Sequence, residues 1–221
     1  MKKVIAFSLW GTDPKYLVGA VKNTELAPVI YPGWEVRVFA GKDVPETTLV
    51  ELTEKGAEVF VVDEPCGWTS TFWRFYPVFD ETVDVLISRD ADSRLNLREK
   101  AAVDEWLASD KNFHIMRDHP AHTTEILAGM WGAKKAAFGA FEIMKTYTRL
   151  ENEKQADQIF LKEVYKQIEW TALVHDPFFS NKPFPTVRSE PTEFVGQVFD
   201  EHDVPNQLYG SSLAADVRSK C

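Results

Sequence analysis

Short runs rich in valine, isoleucine and phenylalanine alternate along this chain with segments of helical spacing. Residues 3–9, 34–40, 58–62, 83–87 and 113–116 read as strands of buried length. Residues 16–26, 46–55 and 97–108 place apolar side chains at helical intervals, with Pro28 and Pro32-Gly33 expected to close the first helix and Gly56 the second. In the third, Ala101, Val103, Trp106 and Leu107 form the expected inner face, and Arg98, Glu99, Lys100, Asp104 and Glu105 the solvated one. The aromatic-dense stretch 66–79 reads as a helix, and 139–150 as another. A polar connection, 151–155, then leads into a helix starting at Ala156. Strands and helices in this order predict an α/β fold with right-handed crossovers: one domain over residues 1–221, with a mostly parallel, twisted central sheet flanked by helices.

Composition narrows the function. The 221 residues are 44% hydrophobic and 27% charged, as in a folded globular protein. A net charge of −9 argues against a nucleic-acid surface, which needs a basic footprint. Cys66 and Cys221 make neither a disulfide framework nor a zinc site, so reduced thiols and a cytoplasmic location are expected. The opening Met1-Lys2-Lys3 and the apolar run to Trp10 mimic a signal peptide. Ser8 interrupts the run, however, and Gly11-Thr12-Asp13-Pro14 follows without a cleavage pattern, so a first strand is expected there. No apolar stretch has the length of a membrane span.

The chemistry gathers where one strand breaks off. Val83, Val85, Leu86 and Ile87 run directly into Arg89, Asp90, Asp92 and Arg94. Two carboxylates one residue apart at a strand end bring hard oxygen ligands to the rim of a sheet, a donor set that suits Mg2+ or Mn2+. Arg89 and Arg94 are candidates to hold a diphosphate or to orient the aspartates, while Asp92 or Ser93 could instead cap the helix that begins near Asn96. Arg74 stands in an apolar segment, where an arginine needs an anionic partner. A second polar cluster, Arg117-Asp118-His119-Pro120-Ala121-His122, follows the strand at 113–116. There Asp118 is a candidate general base or sugar-hydroxyl acceptor, and His119 and His122 are either loop-stabilising or ligating. Trp131, between Gly129 and Gly132, either stacks on a sugar or fills the core.

In the order of its parts the chain resembles the GT-A-fold nucleotide-sugar glycosyltransferases, glycogenin-type enzymes included, from Val4 to Phe184. Those parts are the loop after the first strand, Arg74, Asp90-Ala91-Asp92, Gly129, Asp157-Gln158, and His175 followed by Lys182-Pro183-Phe184. Residues 88–94, with Met116-Arg117-Asp118-His119-Pro120 and Gly129-Met130-Trp131-Gly132, are also similar to microbial and large-virus transferases predicted to act on surface polysaccharides or glycoproteins. The resemblance implies that Asp90, Asp92 and His175 hold Mn2+ or Mg2+. It implies that Ser8, Trp10, Gly11 and Tyr16 contact base and ribose, that Arg74, Arg94 and Lys182 hold the diphosphate, and that Asp157 and Gln158 reach the sugar. Residues 1–95 would then be the nucleotide-binding half, 96–190 the acceptor and sugar half, and 191–221 a C-terminal extension. The chain departs from the pattern in lacking an asparagine before Gly129 and a glycine between His175 and Lys182. The implied activity is metal-dependent transfer from a nucleoside diphosphate sugar, UDP-sugars foremost, to a glycan or glycoprotein acceptor, with retention favoured. Another phosphoryl-handling enzyme (a nucleotidyltransferase or phosphatase) and a non-catalytic carbohydrate-binding protein are the alternatives.

Overall fold

In the first strand, β1 (Lys3–Leu9), Val4 and Ala6 point into one hydrophobic cluster and Ile5, Phe7 and Leu9 into another. A strand apolar on both faces belongs in the middle of a sheet covered on both sides. The structure is a computed structural model that describes residues 1–147 and 152–207, together with 209, 210 and 213. After β1 come α1 (Pro14–Ile30), β2 (Glu35–Gly41), α2 (Glu46–Glu54) and β3 (Glu58–Val62). A 3₁₀ segment, Trp68–Phe79, leads to β4 (Val85–Arg89), α3 (Leu97–Ala108), β5 (Phe113–Met116) and β6 (Met130–Lys134). A second 3₁₀ segment, Lys135–Thr146, precedes α4 (Ala156–Ile168) and β7 (Ala172–His175). The ends of two expected segments, 148–151 of the helix and its polar connection and most of the tail after Gly210, lie outside the described residues.

The seven strands form one sheet in the order β3-β2-β1-β4-β6-β5-β7, in which only β6 runs antiparallel to its neighbours. Helices α1, α2 and α3 cover the face that carries Ile5, Phe7 and Ile87, and the 3₁₀ segments with α4 cover the other. This is the mostly parallel α/β sheet that the strand pattern predicts. The chain winds outward from β1 through β2 to β3, then returns to β4 on the other side of β1. The carboxyl ends of β1 and β4 therefore flank a topological switch point, where the connections diverge and leave a crevice.

Local structure departs from expectation where tertiary contacts override local signals. Helix α1 starts on Pro14 at its first position, with the Asp13 carboxylate accepting from the Lys15 amide at 3.0 Å. It continues through Pro28 to Ile30, because this proline falls in the last turn and Tyr31 N closes the end on Ala27 O at 2.8 Å. The stretch expected as a helix around Arg74 is 3₁₀ instead. Ser8 of β1 accepts from the Arg74 amide at 2.9 Å and donates to Thr71 O, drawing backbone groups away from an α ladder. Residues 135–146 are likewise 3₁₀ rather than α-helical. In α3, Asn96 caps the first turn by accepting from Glu99 N at 2.8 Å, so neither Asp92 nor Ser93 is the cap. Arg98 and Glu99, expected in water, are buried, and Ala102 rather than Ala101 joins Val103 and Trp106 on the inner face. Trp131 fills the core, stacked on Phe113 and Phe141.

Candidate active site at the carboxyl ends of β1 and β4

A cleft of about 480 Å3 opens at the switch point. Ser8, Leu9 and Trp10 from the end of β1, the loop Gly11-Thr12-Asp13, and Tyr16 from the start of α1 form one side. Asp90, Ala91 and Asp92 beyond β4 and Gln155, Asp157 and Gln158 at the start of α4 line it as well, with Arg74 bridging Asp90 and Asp157. Thr71 and Arg74 complete the inner wall, and Gly196 and Val198 of the C-terminal segment lie on its outer side.

The loop bearing the two aspartates is held from beneath by α1. Buried Asn23 donates through Nδ2 to Ala91 O (3.3 Å) and Ser93 O (2.8 Å), and its Oδ1 accepts from Leu95 N at 2.9 Å. Gly19 lets the helix come close, since a methyl there would overlap Ala91 O. Gly129 does the same for the carboxylate of Asp90. From the other side, Phe199 N donates to Asp92 O at 2.8 Å and ties the C-terminal segment to the same loop. A backbone clamped this way carries its side chains in fixed directions, as a pre-organised site requires.

Each aspartate already faces a cation. Arg74 is buried, and its guanidinium pairs with Asp90 and, at 2.7 Å, with Asp157. Burial alone would lower the Arg74 pKa, but Asp90 and Asp157 outweigh it and raise it. Lys15 Nζ lies 3.0 Å from Asp92 Oδ2 and over the Tyr16 ring. Burial likewise lowers the Lys15 ammonium and the Asp92 charge more than restores it. Asp92 itself is raised above the usual carboxylate range, first by burial and then by the neighbouring charge of Asp90, against the opposing pull of Lys15. A pair of hard carboxylates that repel one another in the lining of a cleft fits a divalent cation. Mg2+ in particular takes one or two protein carboxylates and completes its shell with phosphate oxygens and water.

Of the residues singled out by sequence, Ser8, Trp10, Gly11, Tyr16, Arg74, Asp90, Asp92, Asp157 and Gln158 come together around the cleft. Arg94, Asp118, His175 and Lys182 do not. Arg94 turns toward the C-terminal segment, with Nε 2.7 Å from Asp203 and its guanidinium over the Phe199 ring. Arg89 is bound in the core to Glu99 at 3.1 Å. Asp118 is wholly buried, taking two bonds from Arg98 (2.8 and 2.9 Å), one from Arg188 (2.6 Å) and one from Val195 N (3.0 Å). His175 ends β7 outside the cleft, its Nδ1 2.8 Å from His114 Nε2 and its Nε2 3.6 Å from Glu105. Lys182 is exposed, and its backbone pairs with that of Asp176. Asp90 and Asp92 thus gain no third ligand from His175, and among the described residues no group of three His, Cys, Asp or Glu side chains is arranged to hold a metal.

Sequence reasoning passed over Lys15, Asn23 and Trp68 as site residues, and left His122 between a ligating and a loop-stabilising role. Trp68 lines the cleft edge-on to Trp10, with ring centroids 6.4 Å apart. His122 also lines it, and burial, with the nearby His119, pulls its pKa down to about 3 against the opposing charge of Asp90.

No protein-family model matches the chain, and no curated protein matches it in sequence. Solved structures do. Glucosyl-3-phosphoglycerate synthase from Mycobacterium tuberculosis, in complex with Mn2+, UDP-glucose and glycerol 3-phosphate, is similar over 78% of this chain and 69% of its own, at 13% identity and a TM-score of 0.50. The same enzyme with Mg2+ and UDP is similar over 86% and 73%, at 13% identity and a TM-score of 0.53. The galactosyltransferase LgtC, in complex with donor and acceptor sugar analogs, is similar over 79% and 73%, at 15% identity and a TM-score of 0.51. The chain has the GT-A fold of these nucleotide-sugar glycosyltransferases.

Proposed function

We propose that this protein is a metal-dependent glycosyltransferase that moves a sugar from a nucleoside diphosphate sugar, UDP-sugars foremost, to a glycan or glycoprotein acceptor. The observation that carries the reading is the meeting, in one cleft at the switch point, of Asp90 and Asp92 with the β1 loop and with Asp157-Gln158 of α4. The structural neighbours support it: the mycobacterial synthase is bound to Mn2+ and UDP-glucose, and LgtC to donor and acceptor sugar analogs.

The chemistry follows from charge. Sugar transfer leaves a diphosphate whose negative charge grows as the glycosidic bond lengthens. Asp90 and Asp92 are the residues to hold a divalent ion, which when bound supplies Lewis-acid neutralisation of that diphosphate. Arg74 is the fixed cation beneath the site, pre-aimed by Asp90 and Asp157 and shielded from water, where such a donor counts most. Tyr16 and the Trp10–Trp68 pair offer flat apolar surfaces to the base. Asp157 and Gln158, at the start of α4, face the aspartates and offer polar groups to the sugar hydroxyls. Retention of configuration is the favoured course, because Asp118, the candidate base for inversion, has all its visible acceptor capacity taken by Arg98, Arg188 and Val195 N away from the cleft.

Calorimetry with UDP, UDP-glucose, GDP-mannose and a free glycan, each with and without Mn2+, tests the reading. Metal-dependent binding of one nucleotide sugar, followed by slow release of free sugar, is the expected result. Glycan binding without metal and without any nucleotide response would instead identify a carbohydrate-binding protein.

A further inference from the structure

We infer that His122 is a donor-sugar recognition residue: a neutral imidazole held as its Nε2–H tautomer, which donates to a hydroxyl oxygen of the transferred sugar. The inference rests on the glycosyltransferase reading above and adds a specificity-determining residue to it.

The direction of one hydrogen bond fixes the tautomer. The backbone amide of Asp118 lies 3.1 Å from His122 Nδ1. An amide N–H can only donate, so Nδ1 accepts, and the neutral ring must then carry its proton on Nε2. This amide is not free to turn away. The Asp118 carboxylate is held by Arg98, Arg188 and Val195 N, and its carbonyl accepts from Arg188 at 2.9 Å. Asp118 is thus a positioning residue for His122, acting through its backbone.

His119, three residues earlier, shows the same wiring completed. Its Nδ1 accepts from Ala121 N at 3.0 Å and its Nε2 donates to Tyr209 O at 3.0 Å. His122 differs in one respect: no described residue takes a hydrogen bond from its Nε2, and its ring lines the cleft. An N–H donor offered to a cleft calls for an acceptor oxygen on the ligand.

The tautomer also narrows the role. With Nδ1 occupied by the amide and Nε2 protonated, the ring has no lone pair to give a metal and none to take a proton from an acceptor. It shares the lining of the cleft with Asp157 and Gln158, the groups offered to the sugar hydroxyls, which suits the hydroxyl-rich part of the donor rather than its base. A sugar hydroxyl both donates and accepts, so a ring pinned as a donor complements a carboxylate acceptor in the same cleft.

Two measurements on the full chain test this. Long-range proton–nitrogen NMR on 15N-histidine-labelled protein reports which ring nitrogen carries the proton. Calorimetry with UDP and UDP-glucose in Mn2+ (GDP and GDP-mannose if guanosine is selected above) compares wild type with His122→Ala and His122→Gln. The expected result is the Nε2–H tautomer, an affinity for the nucleoside diphosphate unchanged within about twofold in His122→Ala, and an affinity for the nucleotide sugar reduced about tenfold, the worth of one hydrogen bond. His122→Gln, whose amide can donate, recovers part of the loss. An Nδ1–H tautomer, an equal loss for nucleotide and nucleotide sugar, or no loss at all would each overturn the inference while leaving the glycosyltransferase reading standing. A wild type that binds neither ligand would overturn both.

Discussion

Gly129 and Asp90 share one small volume: the carboxylate of Asp90 lies where any side chain on Gly129 would have to stand. The Asp90 side chain is 46% exposed, so it can move aside rather than force the backbone apart. Gly129→Ala is therefore expected to cost little stability, toward the low end of the ~1–3 kcal/mol typical of overpacking, and to act instead on the position of the carboxylate. Thermal melts should change little while affinity for Mn2+ with UDP falls at least tenfold. Unchanged affinity would mean that the carboxylate need not occupy this position for binding.

Asp118 and its arginines make a second, opposite prediction. The carboxylate is wholly buried and answers two guanidinium groups, so Asp118→Asn leaves positive charge without its partner. Breaking such a pair costs about 3–5 kcal/mol. Denaturant unfolding should show a loss of that order, and the variant studied well below its melting point should keep its affinity for UDP in Mn2+, since the hold it loosens bears on the sugar through His122 and not on the nucleotide. A stable protein that has lost turnover would restore Asp118 as a base.

Acid should weaken the fold through its buried histidines. His114 and His175 are both lowered from the usual histidine range, chiefly by burial, and His122 is brought down to about 3. In the unfolded chain these groups take up protons near pH 6.5. Below that pH the unfolded state thus binds more protons than the folded one, and stability falls as pH falls. Each histidine that stays neutral contributes a slope of at most about 1.4 kcal/mol per pH unit between pH 6.5 and 5. Unfolding free energies measured at pH 7.5, 6 and 5 should show this decline, and His114→Phe should flatten it. A stability that is level over that range would contradict the neutral, buried state of these rings.

The sheet and half of the site were legible because their signals are local. A valine-rich run that stops at Asp90 and Asp92 marks a strand end whatever surrounds it, and Asp157-Gln158 opens a helix whose start faces the same end of the sheet. What could not be read was the direction of side chains fixed by distant partners. Arg98 and Glu99 look like a solvated helix face until Asp118, Arg89 and Tyr31, each far off in sequence, take up their charges. His175 and Lys182 have the right spacing for a metal and diphosphate site, yet β7 is the edge strand next to β5. That register delivers His175 to His114 and not to the cleft. Asn23 did leave a trace: an asparagine buried in a helix interior is unfavourable for the helix itself and marks a tertiary task, here the clamp on the aspartate loop.

Lys15 and Asp92 give the sharpest test of the metal. The ammonium occupies one carboxylate oxygen at 3.0 Å, so a dication binding there has to displace it. Replacing Lys15 with methionine keeps the aliphatic stem and removes the charge. Asp92 then faces Asp90 with less compensation, and the repulsion that adds to burial in raising its pKa becomes available to a metal ion. Partly exposed pairs of this kind are worth about 0–1 kcal/mol, so Lys15→Met should tighten Mn2+ binding to the nucleotide-free protein by up to roughly fivefold. Asp92→Asn should abolish that binding, and EDTA should reduce donor affinity in the wild type until Mn2+ is restored. The two substitutions thus move metal affinity in opposite directions, which a general loss of structure cannot do. If Lys15→Met weakens Mn2+ binding instead, the ammonium assists the metal rather than standing in for it, and the account of the two carboxylates as its principal ligands fails.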